Sequence, residues 1–155
     1  MLPIRFVNTK DAQVHSATRV TTTHEVCEGL LRVDGEALVF QVLVTRTTTR
    51  VGGTSVETDR FTEPVRDIRV PISAIASIRI RRTGWLRRRE VVIAARDLKA
   101  FIDLPGARAQ ELKIPVPREH ADAAAELVGT VELAMADYAL KLAESGGLPG
   151  LSAGS

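Results

Sequence analysis

Gly29-Leu30-Leu31-Arg32-Val33-Asp34-Gly35-Glu36-Ala37-Leu38-Val39-Phe40-Gln41-Val42-Leu43-Val44 is the stretch that decides the fold. Two runs rich in branched apolar residues flank Asp34-Gly35, a dipeptide that accepts the left-handed backbone of a tight hairpin turn. The second run, Ala37 to Val44, has few polar positions. It predicts a strand covered on both faces near its centre.

Working outward, Thr45 to Arg50 alternates Thr and Arg, which favours a strand edge in water. Val51-Gly52-Gly53-Thr54 turns it back, and Ser55 to Thr62 returns either as a protruding β-arm or as a mobile loop. Pro64 and Pro71 bracket a short strand, Val65 to Val70. Ile75 to Arg81 places Ile78 and Ile80 on one face and Arg79 and Arg81 on the other. After the Thr83-Gly84 turn, Glu90 to Ala95 returns. A register pairing Ile78 with Val91 sets Arg79 opposite Glu90 and leaves Thr83-Gly84-Trp85-Leu86 as the tip. Lys99 to Asp103 and Gln110 to Val116 read as two further strands. From Val26 to Val116 the expectation is about seven short antiparallel strands.

Beyond Pro117 the period changes. Ala124, Leu127, Val128, Val131, Met135, Tyr138 and Leu142 recur at helical steps, and Ser145-Gly146-Gly147 ends the helix. At ~1.5 Å per residue such a helix is about 40 Å long, more than one small barrel needs for a cap. Its distal half, with Leu133, Ala136 and Leu140 off the main stripe, is expected to project or meet a partner. Residues 1–20 read as an N-terminal extension, because Ile4, Phe6 and Val14 are too scattered to assign. Residues 21–144 read as the folded domain, and residues 145–155 as a flexible Gly/Ser/Pro-rich tail.

The 155 residues, 45% apolar and 26% charged, are those of one ordinary globular domain. No apolar run approaches ~18 residues, so no transmembrane helix is expected. Met1 to Lys10 lacks the apolar core of a signal peptide, which points to the cytoplasm. One cysteine, Cys27, excludes an intramolecular disulfide and every multi-cysteine zinc motif. The net charge of +2 is a sum of unlike parts. Six arginines and no acid lie between Ile78 and Arg89, so the rest of the chain carries 2 − 6 = −4. The sequence pI near 9.0 reports one local cluster on a mildly acidic body.

Antiparallel strands followed by one amphipathic C-terminal helix resemble the pleckstrin-homology (PH) superfold over about Val26 to Tyr138. Gly29 to Leu38 resembles the first hairpin of the bacterial PH-like (bPH) and GRAM-type domains. Val70-Pro71-Ile72-Ser73-Ala74-Ile75-Ala76-Ser77-Ile78 resembles the step into their fourth strand. Leu98 to Gly106 followed by Glu111 to Ile114 resembles their last two strands. The resemblance implies a mainly β fold: a seven-stranded antiparallel, partly open barrel capped by one long helix. One departure bears on the ligand. Phosphoinositide-binding PH domains carry Lys or Arg in the first hairpin, whereas Arg32-Val33-Asp34-Gly35-Glu36 sets two acids beside one Arg.

The arginine hairpin is the leading candidate site: Arg79, Arg81, Arg82, Trp85, Arg87, Arg88 and Arg89. Guanidinium groups bind phosphate and carboxylate bidentately, and Trp85 adds an amphipathic ring. The bland reading is a solvated hairpin in a chain of 17 Arg and 4 Lys. The cluster lacks the interleaved aromatics of a nucleic-acid motif, which argues against that partner. Leu133, Ala136 and Leu140 are the candidate oligomer contact. His24-x-x-Cys27, even with His15, falls short of the four ligands that structural zinc needs, so no metal is assigned. No nucleophile elbow, phosphate loop or zinc-protease motif occurs, and Asp97, Asp103 and Glu111 form no recognisable acid–base set. The expectation is therefore a non-catalytic binding module without a cofactor. Its first use is protein interaction or homo-oligomeric assembly. Its second is peripheral binding to an anionic lipid surface or nucleic acid through residues 78–89. An enzyme with an unrecognised site is the third.

Overall fold

Alternating apolar residues on consecutive segments make antiparallel pairing the cheapest way to bury them. The computed structural model describes residues 1–13, 19–104, 107–108 and 110–146. Its strands are β1 (Leu2–Gln13), β2 (Arg19–Asp34), β3 (Ala37–Gly52), β4 (Ser55–Thr62), β5 (Arg66–Pro71), β6 (Ile75–Thr83), β7 (Arg88–Ala95) and β8 (Glu111–Val116), and the helix α1 spans Ala121–Ser145. Two antiparallel sheets result. One runs β1-β2-β3-β4 with β5 also paired to β3, and the other runs β6-β7-β8. β1 packs beside β8, but no ladder joins the sheets among the described residues.

Asp34-Gly35 turns β2 into β3 as expected, with Gly35 at φ 60°. Leu38, Val39 and Phe40 are all buried, so the centre of β3 is covered on both faces. The protruding β-arm forms. β3 pairs with β4 through Thr45–Gly52, and with β5 on the same edge through Ala37–Val42. Gly53, at φ 58°, makes the turn of the arm. Every residue of β4 is exposed, so the arm lies beyond the core.

Three expectations are corrected. Within residues 1–20, which the sequence left unassigned, Leu2–Gln13 forms β1, and Leu2, Ile4 and Phe6 enter the core. Gly29–Leu38 is consequently the second hairpin of the sheet, since β1 and β2 form the first. Lys99 to Asp103 is a run of turns and not a strand. Asp97 Oδ1 accepts the Lys99 N–H at 3.0 Å, and successive i to i+3 bonds bring Phe101 and Leu104 into the core. In β6–β7 the register is Ile78 with Ile93 and Ile80 with Val91, so Arg81 and not Arg79 opposes Glu90. That slip of two residues keeps every face assignment intact.

Helix α1 lays Ala124, Leu127, Val128 and Val131 on the core, with Met135 packed at its margin. Leu142, placed on the same stripe, is exposed, because the core ends before the helix does. Among the described residues no helix is long and apolar enough to cross a membrane. Fully buried side chains such as Leu2, Leu31, Phe40 and Leu112 each contribute about 1.5–3 kcal/mol against exposure.

At Gly29 the β2 backbone approaches β3 so closely that an added Cβ would lie 1.8 Å from the Gln41 carbonyl oxygen. Backbone cannot step aside as a flexible side chain does. Gly29→Ala is expected to cost about 3 kcal/mol or more, read as a lower urea midpoint at unchanged slope.

Candidate anion-binding groove

Period-2 geometry divides the arginines of β6 and β7 between two faces. The outer face carries the rows Arg79–Val92–Lys113 and Arg81–Glu90–Pro115. The inner face carries Ile78–Ile93–Leu112, Ile80–Val91–Ile114 and, last, Arg82–Arg89–Val116. The inner rows begin in the core and end where it runs out. Arg82 and Arg89 stand at that end, side by side.

The turn adds to them. Gly84 takes φ 69° and Arg87 takes φ 49°, with the Arg87 N–H donating to the Gly84 carbonyl at 3.2 Å. A non-glycine residue in this left-handed region costs roughly 1 kcal/mol, so the tip keeps an arginine where glycine would be relaxed. On the other side, β8 ends at Pro115-Val116-Pro117, and Arg118 opens the short turn into α1. Together Arg82, Arg87, Arg88, Arg89 and Arg118 surround a groove of about 610 Å³ whose apolar lining is Leu86, Pro115, Val116 and Pro117.

Among the described residues no carboxylate lines the groove. Among the described residues none of its five guanidinium groups joins an ion pair. Elsewhere seven arginines are matched by acids, while Arg19, Arg60, Arg79, Arg96 and Arg108 also join no ion pair among the described residues. Arg46 meets Glu25 at 2.9 Å, Arg69 meets Asp34 at 3.0 Å, and Arg81 meets Glu90 through Nε at 2.8 Å. What sets the groove apart is that five such arginines line one surface. Like charges directly opposite in a sheet repel, so Arg82 facing Arg89 is destabilising until an anion lies between them.

The structure thus brings together Arg82, Arg87, Arg88 and Arg89 of the expected set and leaves three others aside. Arg79 and Arg81 lie on the outer face, and Arg81 is neutralised by Glu90. Trp85 is 91% exposed at the tip, next to the groove residue Leu86. Sequence reasoning missed Arg118 and the Pro115–Pro117 wall. The available signal was the alternation of β8, which sets Val116 on the face of Leu112 and Ile114 and so directs the following turn toward the hairpin.

The other candidate residues separate. Cys27 is buried, whereas His24 is exposed, with Nδ1 3.0 Å from Thr9 Oγ1. Three residues apart on one strand, they face opposite ways. His15 lies outside the described residues. Burial pushes the Cys27 thiol up from 9.0 to about 12, against the pull of Arg66 and with Glu28 and Glu25 adding to the rise. Asp97 caps a turn, and Glu111 pairs with Lys113 at 3.7 Å. No family model, no curated protein and no solved structure matches this chain.

Two outcomes follow from this geometry. Arg82→Gln removes the cross-strand repulsion and is expected to raise stability by about 0.2–1 kcal/mol in urea unfolding, with the gain shrinking as salt is added. Cys27 binds its proton more tightly in the folded chain. Its contribution is whole below about pH 9 and is lost as the pH climbs toward 12, so wild-type stability falls across that range while Cys27→Ala flattens the fall. The same thiol should resist iodoacetamide at neutral pH until urea unfolds the chain.

Proposed function

We propose that this chain is a non-catalytic binding module in a PH-like frame, acting in the cytoplasm. Its arginine groove holds the carboxylate or phosphate groups of an acidic partner. The observation that carries this reading is the Arg82–Arg89 pair at the end of the inner face, joined by Arg87, Arg88 and Arg118 with no carboxylate in the lining among the described residues. A site that spends stability to gather like charges is built for a counter-charge. Guanidinium groups present a planar fork of N–H donors that matches carboxylate and phosphate oxygens, so this lining binds and orients an anion.

The strand order supports the frame. With β4 set aside as an arm, β1-β2-β3-β5 form four antiparallel strands, β6-β7-β8 form three, and α1 follows β8. Seven antiparallel strands followed by one helix is the order that the resemblance implies, begun at Leu2 instead of Val26. The second hairpin is poorly suited to a phosphorylated head group. Arg69 and Arg32 both pair with Asp34, and the Arg69 hydrogen bond chiefly holds the Asp34 carboxyl below its usual range.

Trp85, the single tryptophan, stands beside the groove and reports on its occupancy. Titration with poly-L-glutamate or inorganic polyphosphate is expected to change its emission saturably at ~50 mM salt and to weaken at least about tenfold by ~500 mM. The triple variant Arg87→Ala, Arg88→Ala, Arg118→Ala should weaken binding by a similar factor. If neither probe binds at low salt, the groove is a solvated surface and the reading is wrong.

A further inference from the structure

The far end of α1 is the electrical opposite of the groove. From Glu132 to Ser145 it holds three acids (Glu132, Asp137, Glu144) against one Lys141, a net charge of −3 + 1 = −2. Lys141 is itself engaged by Glu36 at 3.2 Å. Glu132, Asp137 and Glu144 are exposed and join no ion pair among the described residues.

These acids flank an apolar ridge. Leu133, Ala136 and Leu140 follow four- and three-residue steps along a face turned away from the buried stripe of Ala124, Leu127, Val128 and Val131. Leu133 is 65% exposed and Leu140 is 60% exposed. By helical geometry Glu132 lies on one flank of the ridge, and Asp137 and Glu144 lie on the other. The groove offers the complementary pair of chemistries: apolar Leu86, Pro115, Val116 and Pro117 line it together with five arginines.

The two surfaces cannot meet within one molecule. Arg118 lies just before the first residue of α1, and Glu144 lies in its last turn. A helix of 25 residues at ~1.5 Å each holds them about 37 Å apart. We infer that the distal half of α1 of a second copy occupies the arginine groove. Leucines seat on the apolar lining and acids meet the arginines, in the helix-in-groove mode. This rests on the proposed function and names the partner of that same site. The contact is heterologous: each copy offers a groove at one end and a helix at the other, so pairing continues from copy to copy until a ring closes.

Two charge reversals test it. Variant one carries Arg87→Glu, Arg88→Glu and Arg118→Glu. Variant two carries Glu132→Lys, Asp137→Lys and Glu144→Lys. All six positions are exposed, and circular dichroism checks each fold. Light scattering at ~50 mM salt is expected to give the wild-type chain a mass at least twice the 16.8 kDa monomer, rising with concentration and returning to monomer by ~500 mM. Each variant alone should be monomeric, and an equimolar mixture should assemble again, because each variant then meets opposite charge at both ends. A wild-type monomer at low salt, or a mixture that stays monomeric, overturns the inference. If poly-L-glutamate still binds in that case, the groove stands and only its occupant is wrong. Monomers that instead sediment with phosphatidylserine vesicles assign the groove and the Trp85–Leu86 tip to lipid.

Discussion

A strand can bury a face only for as long as there is a core beside it, and the longest elements here outrun theirs. β3 has 16 residues, about 50 Å of extended chain, and its first half alone lies in the core. The overrun determines what surrounds it. The inner half takes β5 as its edge partner, and the outer half takes β4 and becomes an arm. The same mismatch governs β6 and β7, whose inner rows pass from isoleucine and valine to arginine where the apolar interior stops. It governs α1, which is buried at Ala124 to Val131 and bare beyond. Each candidate surface is the part of an element that its core did not need.

The chemistry of those overhangs differs. The arm is Thr-rich, with Glu57, Asp59 and Arg60 along β4, which discourages edge pairing with another sheet. The hairpin end is purely cationic, and the helix end is acidic with leucines between the acids. A molecule charged this way is polar along its own helix. The modest net charge of +2 conceals that polarity.

Much of this was legible from the residues, and the failures have physical causes. Asp34-Gly35 and Gly52-Gly53 marked their turns because only a few residue types adopt left-handed backbone cheaply. From Ser77 onward the face of each residue in β6 and β7 was readable, but its partner was not, since a slip of two preserves both faces; the irregularity between Ile75 and Ser77, which buries Ile75 with Ile78, was not. What set the register was the tip, closed by the left-handed backbone of Arg87, which no propensity announces. Leu2, Ile4 and Phe6 do alternate, yet so few apolar residues in a polar segment did not announce a strand; Pro3 is tolerated there because β1 lies at the edge of its sheet. Phe101 and Ile102 looked like strand residues, but the Asp97 side chain had already committed the backbone to a turn. The arginine cluster was plain in the chain. That its members part to two faces, and that Arg118 returns from another element to join one of them, depends on register and on the β8 exit.

The ladders also bear on how the chain folds. Every one joins strands that are consecutive in sequence, except β3 with β5, which skips only the arm. The β2–β3, β3–β4 and β6–β7 hairpins therefore close short loops at small entropic cost and can zip from their own turns, while β7 and β8 pair across residues 96–110. The seam where β1 lies against β8 is different, because it brings together the two ends of the β-region. Its loop-closure cost falls late, after both sheets exist. Leu2, Ile4 and Phe6 are thus the residues whose burial reports that the two sheets have met.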